Sequence, residues 1–210
     1  ANFFGIRDYK HNYKDKWNDN FNEILQTLDR FVKEGKIRHI GISNEKAWGS
    51  MRYIEESNKS DLPRIVTIQN AYSLLNRPFE GDLAEISIRE GLGLLAYSPL
   101  GFGVLSGKYI NGTSSKNSRL NLFPRFARYS SNEATNATRE YLNIASDNNL
   151  SLTQMALAFV NQQPFVTSNI IGATNLTQLK ENISSINVNL NEEILNKINE
   201  VHSKIPNPSP

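Results

Sequence analysis

The stretch Gly35-Lys36-Ile37-Arg38-His39-Ile40-Gly41-Ile42-Ser43-Asn44 predicts the end of a helix and the strand that follows it. The residues before it, from Phe21 to Val32, place apolar side chains three and four positions apart, which predicts an amphipathic helix. Gly35 stands where a glycine commonly ends such a helix. The β-branched run 37–43 then predicts a short strand that ends in the polar pair Ser43 and Asn44. This segment is therefore one helix–strand cycle with polar residues at its exit.

The same cycle recurs along the chain. The predicted strands are 37–43, 65–69, 92–97 and 169–172. After the first helix, further helices are predicted at about 47–57, before Gly91, at 132–149, 152–162 and 176–183, and from a cap at Asn191 through Ile205. Residues 1–18 and the Gly-, Ser- and Asn-rich segment 101–131 are predicted to be loops.

Strands that alternate with helices predict an α/β fold with a parallel sheet. A complete eight-stranded barrel usually takes about 250 residues, whereas this chain has 210 residues. The pattern therefore indicates half of a (β/α)8 TIM barrel or a small open α/β sheet. No linker divides residues 1–210, which are predicted to form a single partial barrel domain.

Composition excludes several classes of function. The net charge is +2 and charged residues make up 21% of the chain, without the basic cluster typical of a nucleic-acid or membrane-surface protein. There are no cysteines and only three histidines, so we expect no metal site and no thiol chemistry. No apolar run reaches the ~20 residues of a membrane span, and no signal peptide opens the chain, which favours a cytoplasmic protein. Because the sequence starts at Ala1, it is interpreted as part of a longer protein.

Polar residues follow each predicted strand. They are Ser43-Asn44, Gln69-Asn70, Tyr97-Ser98 and Gly172-Ala173-Thr174-Asn175. Each taken alone is more often a helix cap, a turn or a core residue. The carboxyl ends of parallel strands meet on one side of a sheet, however, and this many polar groups would be costly to bury without a partner. Together they favour a ligand site, and we expect Ser43, Gln69, Tyr97 and Asn182 to line a common cavity.

Four motifs in order resemble the aldo-keto reductase family. They are residues 35–44, Gln69-Asn70-Ala71-Tyr72-Ser73-Leu74-Leu75-Asn76-Arg77, residues 95–109 with Tyr97-Ser98-Pro99-Leu100-Gly101, and Ile170-Ile171-Gly172-Ala173-Thr174 followed by Gln178-Leu179 and Glu181-Asn182-Ile183. They are similar to the motifs at strands five to eight of that family's barrel. The resemblance is closest to bacterial Tas-like reductases and more distant to potassium-channel β-subunits. It implies that the chain is the C-terminal half of the barrel, with strands five to eight within 19–210.

The resemblance also implies a binding site for NADP(H). Ser43, Asn44 and Gln69 would hold the nicotinamide carboxamide, and Tyr97 would stack on the nicotinamide ring. The residues implied along the pyrophosphate are Ser98, Leu100, Gly103 and Leu105. The residues implied at the adenosine are Gln178, Glu181 and Asn182, and those at the 2′-phosphate are Thr174 with Lys108 or Arg119. Gln178 stands where many family members carry arginine, so the preference for NADPH over NADH is left open.

The family's catalytic residues have no match in this chain. Aldo-keto reductases use an Asp, a Tyr, a Lys and a His, and the resemblance places all of them upstream of Ala1. We therefore assign no catalytic residue and expect the 210-residue chain alone to be inactive. His39 alternates with Gly41 and Ser43, which predicts a core histidine in the lower barrel interior.

Three functional interpretations follow. The first is an NADPH-dependent reductase of aldehydes or ketones, represented here by its cofactor-binding half and acting on a small-molecule carbonyl substrate. The second is a non-catalytic NADP(H)-sensing regulatory subunit. The third is an unrelated phosphate-binding α/β barrel. The substrate pocket is expected from loops 1–17, 110–131 and 203–210. Because half a barrel leaves unpaired strand edges, self-association through those edges is also expected.

Overall fold

A computed structural model describes residues 12–14, 18–123 and 128–210. Its centre is a parallel sheet of four strands in the order β1-β2-β3-β4. The strands are β1 (Ile40–Ser43), β2 (Ile65–Ala71), β3 (Gly93–Tyr97) and β4 (Val166–Asn169). The predicted α/β class is therefore confirmed, and the arrangement is that of a partial (β/α) barrel.

Helices follow the strands in the predicted alternation. They are α1 (Phe21–Lys33), α2 (Ala47–Ser60), α3 (Asp82–Glu90), α4 (Arg119–Leu122), α5 (Asn132–Asp147), α6 (Leu152–Asn161), α7 (Leu176–Ser184) and α8 (Glu192–Lys204). Short 3-10 segments occupy Pro78–Glu80, Gly101–Ser106 and Ser185–Asn187. Among the described helices, none is long and apolar enough to cross a membrane.

The helix ends carry the signals that the sequence predicts. Gly35 and Gly91 both have positive φ angles, of 70° and 65°, directly after α1 and α3. Left-handed backbone of this kind is favourable for glycine, so these residues end the helices. At the start of α8, the Asn191 side chain accepts a hydrogen bond from the Ile194 N–H at 3.0 Å, as a cap should.

The middle strands differ from their predicted bounds by one or two residues, and the first and last strands differ by three. The first begins at Ile40 rather than 37, and the last is Val166–Asn169 rather than 169–172. Pairing with β3 determines the bounds of the last strand, because Leu94 is in register with Val166. The Ile170 N–H still donates to the Ala96 carbonyl at 2.8 Å, after which the chain leaves the sheet. The β-branched pair at 170–171 therefore marks the exit of the strand, not its centre.

The core lies on one face of the sheet, between the strands and the helices. Ile68 and Leu94 from the strands, with Met155 and Leu157 of α6, are fully buried in it. The other face carries Gly41, Ser43, Thr67 and Gln69 together with Leu95, as the strand register shows. At Gly41 a Cβ atom would collide with Thr67, and at Gly93 with Thr167, so glycine is required for close approach there.

His39 is exposed, so its predicted place in a buried core is wrong. The predicted alternation with Gly41 and Ser43 does hold, since those two residues are exposed as well and lie on the same face. Within the described ranges no second layer covers that face. A side chain directed toward a barrel interior therefore meets solvent in this chain.

Candidate functional site

The first site residues lie where β1 and β2 end. Ser43 and Gln69 are register partners, and the Ser43 Oγ donates to the main-chain carbonyl of Gln69 at 3.0 Å. The backbone N–H of Asn44 donates to the same carbonyl, also at 3.0 Å. The Asn44 Nδ2 in turn donates to the Ser43 Oγ at 3.2 Å. The carboxyl ends of two strands are thus joined into one polar group.

Tyr97 joins this group from β3. Its hydroxyl donates to the Asn44 Oδ1 at 2.7 Å, across the intervening strand. Asn44 has a left-handed φ of 53°, the conformation that asparagine adopts more readily than most residues. Burial raises the pKa of Tyr97, and the nearby Arg128 guanidinium opposes that rise. The hydroxyl is therefore a neutral donor held in a defined direction.

The loop after β3 contains an unusual number of left-handed residues. Left-handed φ angles occur at Ser98 (55°), Gly101 (53°), Phe102 (57°), Gly103 (89°) and Gly107 (76°). Tight turns within the loop are closed by backbone hydrogen bonds, such as that from the Gly103 N–H to the Leu100 carbonyl at 2.9 Å. We refer to residues 98–107 as the left-handed loop.

Two of the predicted site residues form the frame of the left-handed loop. The Leu105 N–H donates to the Leu100 carbonyl at 3.1 Å, and the Leu105 side chain is fully buried. A Cβ atom at Gly101 would lie 3.1 Å from the Tyr129 ring, so this glycine lets the loop pack against the core. The Leu105 N–H and side chain are therefore both used within the loop, and Leu105 shapes the loop rather than offering a donor.

Lys108 places a positive charge on the left-handed loop. Its Nζ lies 2.8 Å from the position that a Cβ atom would take on Gly103. Partial burial lowers the pKa of Lys108, which means that its charge is incompletely solvated. Among the residues that the structure describes, no carboxylate forms an ion pair with Lys108. Its Nζ lies 5.2 Å from the centroid of the Tyr109 ring, which is a cation–π contact.

Arg119 is also held at the left-handed loop. Its guanidinium carbon lies 4.4 Å from the centroid of the Phe102 ring, which is a cation–π contact. Phe102 in turn packs against Tyr129, with ring centroids 4.8 Å apart. Lys108 and Arg119 therefore belong to the same part of the molecule.

A second polar group follows β4. The Thr174 N–H and hydroxyl both donate to the Gln178 Oε1, each at 2.9 Å. The Asn182 Nδ2 donates to the Gly172 carbonyl at 3.1 Å. Gln178 and Asn182 thus lie on one face of α7 and both contact the segment 172–174. Two residues four positions apart on a helix share a face in this way.

Glu181 is directed elsewhere. Its Oε1 accepts a hydrogen bond from the Ser151 Oγ at 2.6 Å. The same Ser151 Oγ accepts from the Gln154 N–H at 3.1 Å and so caps α6. Glu181 therefore ties α7 to the start of α6.

The two polar groups leave the sheet on the same side, since both follow the carboxyl ends of parallel strands. A cavity of about 310 Å³ lies at the edge of β4 and includes Asn182 in its lining. Ser43, Gln69 and Tyr97 are not part of that lining. They face the open side of the sheet, where no opposite wall is present among the described residues. That Ser43, Gln69, Tyr97 and Asn182 line a common cavity stays a prediction.

Comparison with known proteins places this geometry in a family. A profile of the Aldo/keto reductase family matches residues 8–203. The chain belongs to the aldo/keto reductase family. The resemblance that the four motifs carry is thereby confirmed, and the alternative of an unrelated phosphate-binding barrel is excluded.

Individual aldo/keto reductase relatives are also similar to this chain. Protein tas of Escherichia coli K12 is 53% identical over 190 residues, which cover 89% of this chain and 55% of that protein. An aldo-keto reductase of Babesia bovis is 34% identical over 192 residues, covering 88% of the chain and 67% of the relative. The L-glyceraldehyde 3-phosphate reductase of E. coli K12 is 30% identical over 174 residues, covering 79% and 49%. The chain thus spans about half the length of several relatives, in agreement with half a barrel.

Two residues beside the site were not among those that the family resemblance implied. Arg128 donates from its Nη2 to the Tyr129 hydroxyl at 2.9 Å and from its Nη1 to the Pro210 carbonyl at 3.2 Å. Burial raises the pKa of Tyr129. Their sequence signal is weak, since an Arg-Tyr pair in a polar loop is common and its contact with the last residues of the chain is not local.

Parts of the predicted substrate loops lie outside the described residues, namely 1–11, 15–17 and 124–127. The tail beyond α8 is described and is pinned. The Ser209 N–H donates to the Leu75 carbonyl at 3.0 Å, and the Asn76 Nδ2 donates to the Ser209 carbonyl at 2.9 Å. The tail of this aldo/keto reductase chain is therefore fixed against the residues that follow β2.

Proposed function

We propose that the protein reduces aldehydes or ketones with NADPH and that this chain supplies the cofactor-binding surface. The observation that carries the proposal is the hydrogen-bonded group of Ser43, Asn44, Gln69 and Tyr97 beside the left-handed loop with its half-buried Lys108. Bound NADPH would supply the hydride. The rest of the proposal concerns what the residues of this chain do.

We refer to Ser43, Asn44, Gln69 and Tyr97 as the strand-end group. This group fits a flat amide. Asn44 and Gln69 carry amide donors and acceptors, and Ser43 carries a hydroxyl, which together complement the carboxamide of a nicotinamide. The hydrogen bond from the Tyr97 hydroxyl to Asn44 fixes the orientation of the tyrosine ring. In the proposed complex the ring packs against one face of the nicotinamide and leaves the opposite face for the substrate.

The left-handed loop fits the phosphates. Ser98, Leu100, Gly103 and Leu105 would line the pyrophosphate, with Ser98 and Leu100 offering donors. Gly103 and Leu105 would shape the loop, since their N–H groups already donate to the Leu100 carbonyl. Lys108 and Arg119 would neutralise its charge or that of the 2′-phosphate. Because burial lowers the pKa of Lys108 in the free chain, a bound anion would restore the stability of the charged form.

The second polar group would hold the adenosine. Gln178 and Asn182 present amides on one face of α7, and Thr174 adds a hydroxyl next to Gln178. Glu181 would act by positioning α7, because its carboxylate already binds Ser151. Neither Thr174 nor Gln178 carries a charge, so discrimination between NADPH and NADH would rest on Lys108 or Arg119.

The proton donor for the carbonyl oxygen is not assigned to this chain. Tyr72 is fully buried, donates its hydroxyl to the Glu80 carboxylate, and has a raised pKa because of burial. It is therefore a structural hydrogen-bond donor. We propose that the Asp, Tyr, Lys and His of the family lie upstream of Ala1 and that the chain alone does not turn over substrate.

The partners proposed for the protein are a small-molecule carbonyl substrate and, for the isolated chain, a second copy at the open strand edges. No nucleic-acid or membrane partner is proposed, and the proposed location is the cytoplasm. The edges of β1 and β4 each pair on one side only. Leu176, Ile183 and Ile186 are more than half exposed beside β4, which favours self-association when nothing covers them.

A fluorescence titration tests the cofactor proposal. NADPH and NADH are added in turn, and quenching of tyrosine and tryptophan emission reports binding. We expect Lys108→Met to weaken NADPH binding by roughly tenfold, because it removes a charge-assisted contact. Lys59→Met, at the exposed end of α2, is the control and should bind like the unsubstituted protein. Absence of NADPH and NADH binding by the natural-length protein would refute the proposal.

A further inference from the structure

The segment that follows the left-handed loop contains the one Asn-Gly pair of the sequence, Asn111-Gly112. Both residues lie in a turn, and both are exposed. Gly112 has a left-handed φ of 65°, and no atom beyond its chain neighbours lies within 4 Å of the position that a Cβ atom would take on it. The pair therefore stands on an open turn, where a folded chain best tolerates local rearrangement.

Hydrogen bonds hold this turn on both sides of the pair. The Asn111 N–H donates to the Gly107 carbonyl at 3.1 Å, and the Thr113 N–H donates to the Lys108 carbonyl at 3.0 Å. Among residues 12–14, 18–123 and 128–210, neither the Asn111 carboxamide nor the Gly112 N–H has a hydrogen-bond partner. The turn is thus fixed, while the carboxamide and the backbone nitrogen after it are left uncommitted.

An asparagine that precedes a glycine has a spontaneous reaction open to it. The Gly112 nitrogen attacks the Asn111 Cγ, so that an N–Cγ bond forms and the Cγ–Nδ2 bond breaks. The proton of the attacking nitrogen leaves with the side-chain amide as ammonia, and a succinimide ring remains. Water opens the ring at either carbonyl and gives aspartate or isoaspartate, with no oxidant or reductant. Glycine favours the attack because it has no Cβ atom to crowd the nitrogen.

Asn117 offers a comparison within the same segment. It is exposed as well, but the residue after it is Ser118, which carries a Cβ atom and is buried. The Ser118 N–H also donates to the Ser115 carbonyl at 2.9 Å. The nitrogen that would attack Asn117 is therefore both crowded and hydrogen-bonded, so the two asparagines should react at different rates.

The Asn111 side chain lies against the left-handed loop. Its Nδ2 is 3.5 Å from the position that a Cβ atom would take on Gly107, the last residue of that loop. Lys108, which we propose neutralises a cofactor phosphate, comes next in the chain. Both products of the reaction carry a carboxylate where the neutral carboxamide stood. The reaction therefore adds a negative charge beside the loop, and that charge repels a phosphate.

We propose that Asn111 is a site of deamidation and isoaspartate formation, and that this modification weakens the binding of the cofactor. The chemistry depends only on the turn at Asn111 and Gly112. The effect on binding rests on the proposed function, because it takes the cofactor phosphates to lie at the left-handed loop.

Warm, mildly alkaline incubation of the natural-length protein tests the chemistry. Proteolysis and mass spectrometry then report replacement of an amide by an acid at each asparagine, and labelling by an isoaspartyl methyltransferase reports the rearranged product. We expect reaction at Asn111 to be roughly tenfold faster than at Asn117, and Gly112→Ala to slow it by a similar factor, because a Cβ atom then crowds the nitrogen. Reaction at Asn111 no faster than at Asn117 would overturn the proposal.

Titration with NADPH tests the effect on binding. Asn111→Asp introduces the charge of the product, and Asn111→Gln keeps a neutral carboxamide. Asn58→Asp places the same charge at an exposed position near the end of α2, toward the amino ends of the strands. We expect Asn111→Asp to weaken NADPH binding roughly threefold at low ionic strength and less at high salt, because salt screens the repulsion. Asn111→Gln and Asn58→Asp should bind like the unsubstituted protein.

The outcomes separate this inference from the proposed function. If Asn111→Asp binds NADPH as tightly as Asn111→Gln, the inferred effect on binding is wrong. If the unsubstituted protein does not bind NADPH, the proposed function is overturned and the effect on binding with it. The mass spectra still decide in that case whether Asn111 is a modification site.

Discussion

The Tyr97 hydroxyl and the Asn44 side chain, on strands that are not neighbours in the sheet, are joined by a hydrogen bond of 2.7 Å. The bond spans β2, which lies between the two strands. There the main-chain carbonyl of Gln69 accepts hydrogen bonds from the Ser43 hydroxyl and from the Asn44 N–H. The ends of three strands are thereby held in one arrangement before any ligand arrives. Such preorganisation reduces the entropy that binding must overcome.

Removal of the Tyr97 hydroxyl tests this preorganisation. We expect Tyr97→Phe to keep the ring but to release Asn44, which should weaken NADPH binding several-fold and reduce the free energy of unfolding by about 1 kcal/mol. Fluorescence titration and urea unfolding measure the two effects. Tyr53→Phe is a matched control, since Tyr53 packs edge-on against Phe21 outside the site. Equal effects of both substitutions on cofactor binding would contradict the role of Tyr97.

Ser151 and Ser131 offer a comparison of two helix caps. Each accepts a hydrogen bond from a backbone N–H at the start of its helix, α6 or α5. Replacement of either with alanine should lower the free energy of unfolding by about 1 kcal/mol. Only Ser151 also donates to Glu181, so only Ser151→Ala should weaken NADPH binding through movement of α7. Unfolding and titration of both variants check this difference, and equal affinities would argue against the positioning role of Glu181.

Arg77 and Glu80 form an ion pair at the margin of the core. The Arg77 Nε donates to the Glu80 Oε1 at 2.6 Å, and the two side chains are 8% and 28% exposed. The Arg77 Nη2 also donates to the Glu80 Oε2 at 2.8 Å and to the Asn199 Oδ1 at 2.9 Å. Because Arg77→Met removes these charge-assisted hydrogen bonds, it should lower the free energy of unfolding by about 2 kcal/mol. The exposed pair of Arg89 and Glu85 has the same 2.6 Å distance. Arg89→Met should therefore change stability by no more than about 0.5 kcal/mol, and chemical denaturation distinguishes the two variants.

His202 should make stability depend on pH. Burial lowers its pKa in the folded state, and the nearby Arg77 charge acts in the same direction while Glu80 opposes it. The unfolded state then binds more protons than the folded state at mildly acidic pH. The contribution of neutral His202 to the free energy of unfolding should be fully present above the unfolded-state pKa of about 6.5. It should be lost as the pH drops below that value.

Substitution of His202 checks that sign. His202→Gln should flatten the decline of the unfolding free energy below about pH 6.5, measured by denaturant titration at several pH values. His39→Gln, at an exposed position, is the control substitution. An identical profile for His202→Gln and the unsubstituted protein would show that other groups cause the decline.

Local pattern was sufficient for the order of strands and helices and for many of the residues that follow the strands. Glycines at 35 and 91 and the cap at Asn191 act within one or two turns of a helix, so their effects are readable without a structure. The sequence pattern predicts the last strand three residues too far along the chain, because the bounds of that strand depend on pairing with Leu94 from a distant segment.

The sequence by itself determined the α/β alternation, the family and the candidate cofactor residues, because these depend on side-chain spacing and short motifs. Only the tertiary structure decided that Glu181 binds Ser151, that Arg128 reaches Pro210, and that His39 faces solvent. Those contacts join residues that lie far apart in the chain or depend on which sheet face is covered. The packing of distant segments determines these contacts, and no local sequence pattern encodes that packing.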